Sequence, residues 1–356
     1  MENIARLMAE LPSDYEEDCF KTGAIRRQRG VSSPADLMML AMFHLQNGCS
    51  LKEISEVARI TKLGRMSDVA FMKRFEKCGG WFICINEKIA TGSTINYSKP
   101  EWLKNYEVLT VDASVVSEKG RSGRDYRLHY ALDIFKMRSY EHKITATETG
   151  ESLVNFSFKP GHLVIADRAY STVKGIEHCR ENGADYILRL RKNSFTVRGD
   201  DGEKIDLTKM LSDLSEGEYL DLAANATNTS GHIVPVRICA MRKTPEAVTE
   251  THKKLRRRES KKQIKIADET KTFNEYIVTV TSLSADITAQ QVLDSYRLRW
   301  QVELYFKRLK SILNFGELPK RRQDSVIAWL NGKLMVALLI ELIIAKGSFS
   351  PLGTSE

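Results

Sequence analysis

Cysteine is sparse and unpatterned in this chain. The six cysteines among 356 residues, Cys19, Cys49, Cys78, Cys84, Cys179 and Cys239, show no C-x2-C spacing. Zinc knuckles and secreted disulfide scaffolds both need closely spaced thiols, so neither is expected. No secretory leader is expected either: the start MENIARLMAELPSDYEED is acidic, with no basic stretch ahead of an apolar run. The longest apolar run, Leu334 to Ala345, contains Glu341 and is shorter than the roughly 20 residues that cross a bilayer. It predicts a buried helix under the core. Histidines such as His44, His162 and His178 stand alone and read as structural or surface residues. A soluble, cytosolic protein without a membrane partner is expected.

Positive charge is what the chain has in excess. Lys and Arg number 54 against 46 Asp and Glu, a formal net charge of +8 with a pI near 9.0. Such a balance suits a polyanionic partner, because phosphate neutralisation by Lys and Arg supplies most non-specific DNA affinity. A length of 356 residues allows a sizeable core in about two or three domains.

The most informative segment is YRLRWQVELYFKRLKS, Tyr296 to Ser311. Read as one helix at about 100° per residue, Val302, Tyr305, Leu309, Ile312 and Leu313 fall within about 60° of Leu298, a core-facing stripe. Tyr296, Arg299, Glu303 and Lys310 share the other side, a lone acid among groups suited to phosphate. Any single such face is more often a solvated surface with an Arg-Glu pair. Two upstream runs change the weighing. YEVLTVDAS, Tyr106 to Ser114, reads as a strand ending at Asp112, and HLVIADRAYS, His162 to Ser171, as an apolar strand delivering Asp167 into a loop before a helix over Thr172 to Asn182. An acid at the end of an apolar strand is costly unless it binds something. YRLHYALDI and RSYEHKITATET read as two strands between them, followed by a helix near Glu151 to Phe156.

The spacing Y-x2-R-x3-E-x6-K is met in full by Tyr296, Arg299, Glu303 and Lys310. With the DRAY wording at Asp167, it resembles the signature of the insertion-sequence DDE transposases of the IS4 type, over about residues 30 to 345. The resemblance implies a ribonuclease-H-like α/β fold, a mixed sheet whose first and fourth strands lie side by side and bring Asp112 and Asp167 together. It implies catalytic and metal-binding roles for Asp112, Asp167 and Glu303 with two Mg²⁺ (or Mn²⁺) ions, since hard cations take carboxylate oxygens. Tyr296, Arg299 and Lys310 would contact phosphates, and Lys307 joins them; Arg308 reads as a solvated charge. The implied activity is metal-dependent DNA cleavage at element ends followed by attack of the freed 3′-hydroxyl on target DNA. The implied partners are double-stranded DNA, as terminal inverted repeats and target, and a second subunit in the active complex, with nucleoid association when DNA is bound. A catalytically inactive DNA-binding derivative and a nuclease without strand transfer are the alternatives.

Upstream, residues 32 to 92 read as helical. Ser50 and Glu53 form a capping box, and after a break at Gly64 Ser67 caps a second helix. This is either a helix-turn-helix element or a plain helical hairpin. The resemblance favours the former, with Lys62, Arg65, Lys73 and Arg74 facing DNA. Between Asp167 and Glu303 lie 135 residues, more than one strand and one helix require. YILRLRKN reads as the fifth strand, FNEYIVTVTSL as a strand returning to the core, and the intervening stretch resembles the β-rich insertion of these enzymes. Within it HKKLRRRESKKQIK carries eight basic residues and one acidic, a candidate backbone contact through Arg256, Arg257 and Arg258 or else a solvated loop. The expected organisation is a helical DNA-binding region over 1–100, core over 101–194, β-rich insertion over 195–272, core with the catalytic helix over 273–347, and a tail over 348–356. The resemblance implies, for some relatives, an insertion tryptophan that stacks on an unpaired base; none falls within 195–272 here, so such stacking would need Phe195, Tyr219 or another group.

Overall fold

The computed structural model describes residues 2–46, 48–92, 97–118, 125–136, 138–300, 302–304, 307, 317–318 and 322–348. Six helices come first: α1 Glu2–Ala9, α2 Tyr15–Lys21, α3 Pro34–Gln46, α4 Leu51–Ile60, α5 Asp68–Glu76 and α6 Gly79–Gly92. The two sequence-read caps form. The Ser50 hydroxyl accepts the Glu53 N–H at 3.3 Å while the Glu53 carboxylate accepts the Ser50 N–H at 2.6 Å, and the Ser67 hydroxyl accepts the Ala70 N–H at 3.2 Å. Such caps satisfy N–H groups that the first helical turn leaves unpaired. The turn between α4 and α5 is pinned to an earlier segment: Val31 bridges Gly64, and Arg65 N–H donates to Gly30 O at 2.9 Å. Only glycine fits there, because a Cβ on Gly64 would stand 2.1 Å from Gly30 O.

One sheet runs through the rest of the fold. Its strands are β1 Glu107–Glu118, β2 Asp125–Asp133, β3 Arg138–Ala146, β4 His162–Ala166, β5 Asp185–Arg189, β6 Thr196–Arg198, β7 Tyr219–Thr227, β8 Ile233–Arg242 and β9 Tyr276–Thr281. They lie in the order β3-β2-β1-β4-β5-β9-β8-β7-β6, and a short β10, Glu317–Leu318, pairs with the far end of β1. The first three strands form an antiparallel meander, whereas β4 joins β1 and β5 in parallel. The strands of the 195–272 stretch do not form a separate layer: β8 pairs with β9, which pairs with β5.

Alternation along each strand divides two cores. Val108, Leu163, Ile165 and Ile187 face the N-terminal helices, α11 Ala289–Arg297 and α12 Gln323–Ser348. Leu109, Val111, Val164 and Leu188 face α7 Val173–Glu181, α8 Leu207–Ser212 and α10 Asp268–Asn274. His44 packs edge-on against Phe71, Phe75 and Trp329, and His178 Nε2 lies 2.8 Å from Phe156 O, structural positions for both.

Four elements differ from the sequence reading. The chain near Glu151 to Phe156 is only a 3₁₀ turn, Leu153–Asn155, because the 15 residues between β3 and β4 must run back from the level of Val116 to that of Glu107, a span that mostly extended chain covers and a helix would not. Strand β1 continues past Asp112 to Glu118, since β2 and β10 keep pairing with it after β4 stops. The apolar run belongs to a 26-residue helix, α12, which over Gln323–Ile344 is long and apolar enough for a bilayer; 67% of its most apolar window is buried inside the fold, where it packs on α3, α5 and α6. Finally, Tyr296 and Glu303 do not share one unbroken helix. Helix α11 ends at Arg297, and the N–H groups of Leu298, Arg299 and Val302 bond to oxygens three residues back, a tightened turn at Leu298 and Arg299 before helix resumes at Trp300 and over residues 302–304.

Candidate active site

The parallel ladder between β1 and β4 runs from Glu107 opposite His162 to Val111 opposite Ala166. Asp112 and Asp167 are therefore the next residues on two neighbouring strands, about 4.8 Å apart by strand spacing. Continuing the alternation puts both on the face of Val108, Leu163 and Ile165, the face that α11 covers. Beyond Ala166 the chain turns through Asp167 into α7, opening a crevice at the carboxyl end of β4, where α/β sheets commonly bind ligands, while β1 runs on past Asp112.

The helical signature closes on this crevice through a chain of contacts. The Tyr296 hydroxyl donates to Asp167 Oδ1 at 3.3 Å, Arg299 Nε donates to the Tyr296 oxygen at 3.0 Å, and Arg299 Nη2 pairs with Glu303 Oε1 at 2.8 Å. The guanidinium also stacks near the Tyr296 ring, 5.6 Å from its centroid. Tyr296 is not on the side away from the core, where the helical wheel placed it: it is 6% exposed and belongs to the core cluster. The break at Leu298 is the reason, turning α11 so that the ring packs inward and only the hydroxyl reaches the crevice. Burial pushes the Tyr296 hydroxyl above its ordinary pKa, with Asp167 adding to the shift. Arg299 is held charged beyond its usual range: burial disfavours the charge, but Tyr296, Asp167 and Glu303 outweigh it.

Asp112 is strongly perturbed by its surroundings. Burial raises its carboxyl to about 6, the charges of Glu151 and Glu303 push the same way, and the Ala113 N–H at 2.8 Å and Arg299 oppose the shift only in part. Such a desolvated carboxyl, short of positive charge, suits a cation. The oxygen-only donor set of Asp112, Asp167 and Glu303 fits a hard divalent ion. Among the described residues no three acids, histidines or cysteines are gathered closely enough to form a metal cage, and Glu303 is drawn toward Arg299 instead.

The remaining candidates are placed as follows. Lys307 is helical and exposed; Lys310 lies outside the described residues, as do Tyr305, Arg308, Leu309, Ile312 and Leu313. Lys62, Arg65 and Lys73 are exposed. Arg74 is half-buried and donates to Arg29 O at 2.6 Å and Arg27 O at 3.3 Å, so its guanidinium braces the segment under the turn. Arg256, Arg257 and Arg258 project from α9 Pro245–Lys262, an 18-residue helix with no buried residue, where a loop was the alternative. Phe195 lines a cleft of about 780 Å³ together with Lys174, Lys192, Lys204 and Asn228; Tyr219 is exposed at the start of β7.

Sequence reasoning missed several residues at this site. Glu151 acts on Asp112 from just ahead of the 3₁₀ turn. Tyr170 is buried with an unpartnered hydroxyl and feels both aspartates. Arg189 and Lys243 come close to Arg168, the residue that follows Asp167. The arginines of DRAY and LRLRK are visible in the sequence, but nothing there brings Lys243, some 75 residues along the chain, to them.

A mixed sheet with acids side by side on two adjacent parallel strands, one within β1 and one just past β4, and a third on a helical segment packed over them, defines a ribonuclease-H-like nucleotidyl-transfer fold. Residues 106–339 match the family described as Transposase DDE domain, and the chain belongs to that family of DDE transposases, enzymes of DNA transposition whose chemistry depends on divalent metal. It is 28% identical over 352 residues to the Escherichia coli (strain K12) protein InsL of insertion sequence element IS186A, covering 96% of this chain and 94% of that one. The transposase of insertion sequence element IS421 from Escherichia coli is 28% identical over 353 residues with the same coverage. That of IS231C from Bacillus thuringiensis subsp. berliner is 25% identical over 199 residues, 51% of this chain and 41% of that one.

Proposed function

We propose that this transposase cuts DNA at the ends of its own element and joins the freed 3′-hydroxyl to target DNA, with Asp112, Asp167 and Glu303 as the catalytic, metal-holding acids. The contact chain from Asp167 through Tyr296 and Arg299 to Glu303 carries this reading, because it ties three of the signature groups to the second aspartate. Two Mg²⁺ (or Mn²⁺) ions would hold on the three carboxylates and supply charge neutralisation and an acidified water. The protein's own groups do the positioning. Arg299 offers a planar fork to phosphate oxygens, and when a DNA phosphate takes that fork, Glu303 is released toward the aspartates. Tyr296 keeps Asp167 oriented from a rigid, buried ring. Lys307 and Lys310 contribute phosphate contacts. Lys62, Arg65 and Lys73 of the N-terminal helices contact the terminal inverted repeats, with Arg74 supporting the turn. Arg256, Arg257 and Arg258 on α9 contact the backbone, and the DNA-bound enzyme works as a dimer on the nucleoid in the cytoplasm. The division at residues 100, 194, 272 and 347 is the working domain description.

The test is cleavage of a labelled duplex carrying the inverted repeat that flanks the protein's own gene, with Mg²⁺ and with EDTA, for wild type and Glu303→Ala. Metal-dependent nicking at the repeat boundary that vanishes in the variant supports the reading. Specific binding without cleavage points to an inactive DNA-binding protein. Cleavage without joining of the 3′ end to a second duplex points to a nuclease.

A further inference from the structure

Three basic side chains from distant parts of the chain converge around Arg168, the residue after Asp167. Arg168 follows it directly, and its Nη1 donates to Asn274 Oδ1 at 2.9 Å. Lys243, the residue after β8, donates from Nζ to the main-chain oxygen of the same Asn274 at 2.5 Å and to Thr251 Oγ1 at 2.9 Å. Arg189 ends β5 opposite Thr279 of β9, and its Nε is buried without a hydrogen-bond partner. All three are half-buried, and among the described residues none forms an ion pair. Glu275, whose charge reaches Lys243, has both oxygens engaged, by Arg242 at 3.3 Å and His252 at 2.9 Å.

Asp167 offsets part of the charge at Arg168, but crowded like charges of this kind remain costly without a further anion between them. The strain registers on Lys243, whose ammonium is pushed down to about 8 by burial and then by Arg189, Arg168 and Lys254. The neighbourhood is the crevice of the acids: Arg189 bears on the Tyr296 phenol, whose hydroxyl contacts Asp167. Two guanidinium forks and an ammonium match the oxygens of a phosphodiester, and Lys254 continues the positive path onto α9.

We propose that Arg168, Arg189 and Lys243 form a second phosphate seat, distinct from the Tyr296 and Arg299 pair, that grips a DNA backbone phosphate flanking the scissile bond. Lys243 and its scaffold Asn274 come from the two ends of the segment joining β8 to β9, so the seat makes the inserted region a part of substrate positioning. It rests on the DNA-cleaving reading above, and its test is a binding measurement made without metal, so that the two fail separately.

The probe is the full chain with a duplex carrying the flanking inverted repeat, in EDTA, with a neutral methylphosphonate placed at each backbone position near the repeat boundary in turn. In the wild type one flanking position weakens binding about tenfold, as expected for one lost charge-assisted contact. In Lys243→Gln and Arg189→Gln that position loses its effect, and the slope of log K against log salt falls by about one per contact removed. Thermal unfolding of each variant identifies a folding defect, and the two substitutions stand in for one another if one fails to fold. An undiminished methylphosphonate penalty with an unchanged salt slope in the folded variants overturns the seat, even if the enzyme cleaves. Micromolar binding of inorganic phosphate alone, lost in Lys243→Gln, would make a free anion the occupant and also overturn it. If the wild type never cleaves while the seat behaves as stated, the catalytic reading fails and the seat stands.

Discussion

Replacing Asp112 by Asn should stabilise the metal-free protein at neutral pH. The carboxyl titrates near 3.8 when unperturbed and is raised to about 6 in the fold, chiefly by burial. A raised carboxyl means that the folded state binds its proton more tightly than the unfolded chain does. The penalty is therefore absent below about pH 4, grows between about 4 and 6, and is fully present above 6. Two units at about 1.36 kcal/mol each amount to roughly 3 kcal/mol. Asn keeps the acceptor for the Ala113 N–H and carries no charge, so Asp112→Asn should gain about 2–3 kcal/mol at pH 7.5 in EDTA and almost nothing at pH 4. Denaturant unfolding followed by circular dichroism at the two pH values reads this difference directly. Mg²⁺ supplies a second arm. At about ten times its Kd it should stabilise the wild type by ~1.4 kcal/mol through mass action and leave Asp112→Asn nearly unchanged. A variant no more stable than wild type at pH 7.5, or a gain that persists at pH 4, would refute the reasoning that this carboxyl is desolvated and waiting for a cation.

Other outcomes follow from the same contacts. Tyr296→Phe removes the hydroxyl between Asp167 and Arg299 while keeping the buried ring, so strand cleavage should fall about ten- to a hundredfold with little change in melting temperature; an unaltered rate argues against the contact chain. Lys333 is 3% exposed, lies over the Trp329 ring at 4.6 Å and is depressed to about 8 by burial. A depressed lysine destabilises the fold fully below about pH 8 and ceases to do so as pH rises past about 10.5, so Lys333→Met should gain up to about 3 kcal/mol at pH 7 and lose that gain above 10.5. Gly64→Ala forces a Cβ against Gly30 O and should cost about 1–3 kcal/mol, together with binding to the inverted repeat if the α4 and α5 hairpin reads DNA; a variant as stable as wild type would show that the turn is not pinned as described.

Much of the fold was legible because its cues are local. The caps at Ser50 and Ser67 and the apolar alternation of β1, β4 and β9 depend on residues within a few positions of each other. The break between Tyr296 and Glu303 was not legible, since good helix spacing continues through Leu298 and only packing of Tyr296 against the sheet rewards the tightened turn. The sequence likewise predicted an added β-rich region without showing that β8 would pair with β9 and extend the same sheet. By itself, the sequence determined the identities and order of the acids and the four residue types of the signature, because chemistry requires particular side chains at particular spacings. Only the tertiary structure decided which groups touch. The register of β1 on β4 aligned Asp112 with Asp167, and the path through β8 and α10 brought Lys243 to Arg168, because long-range strand pairing and burial set such contacts and no local signal encodes them.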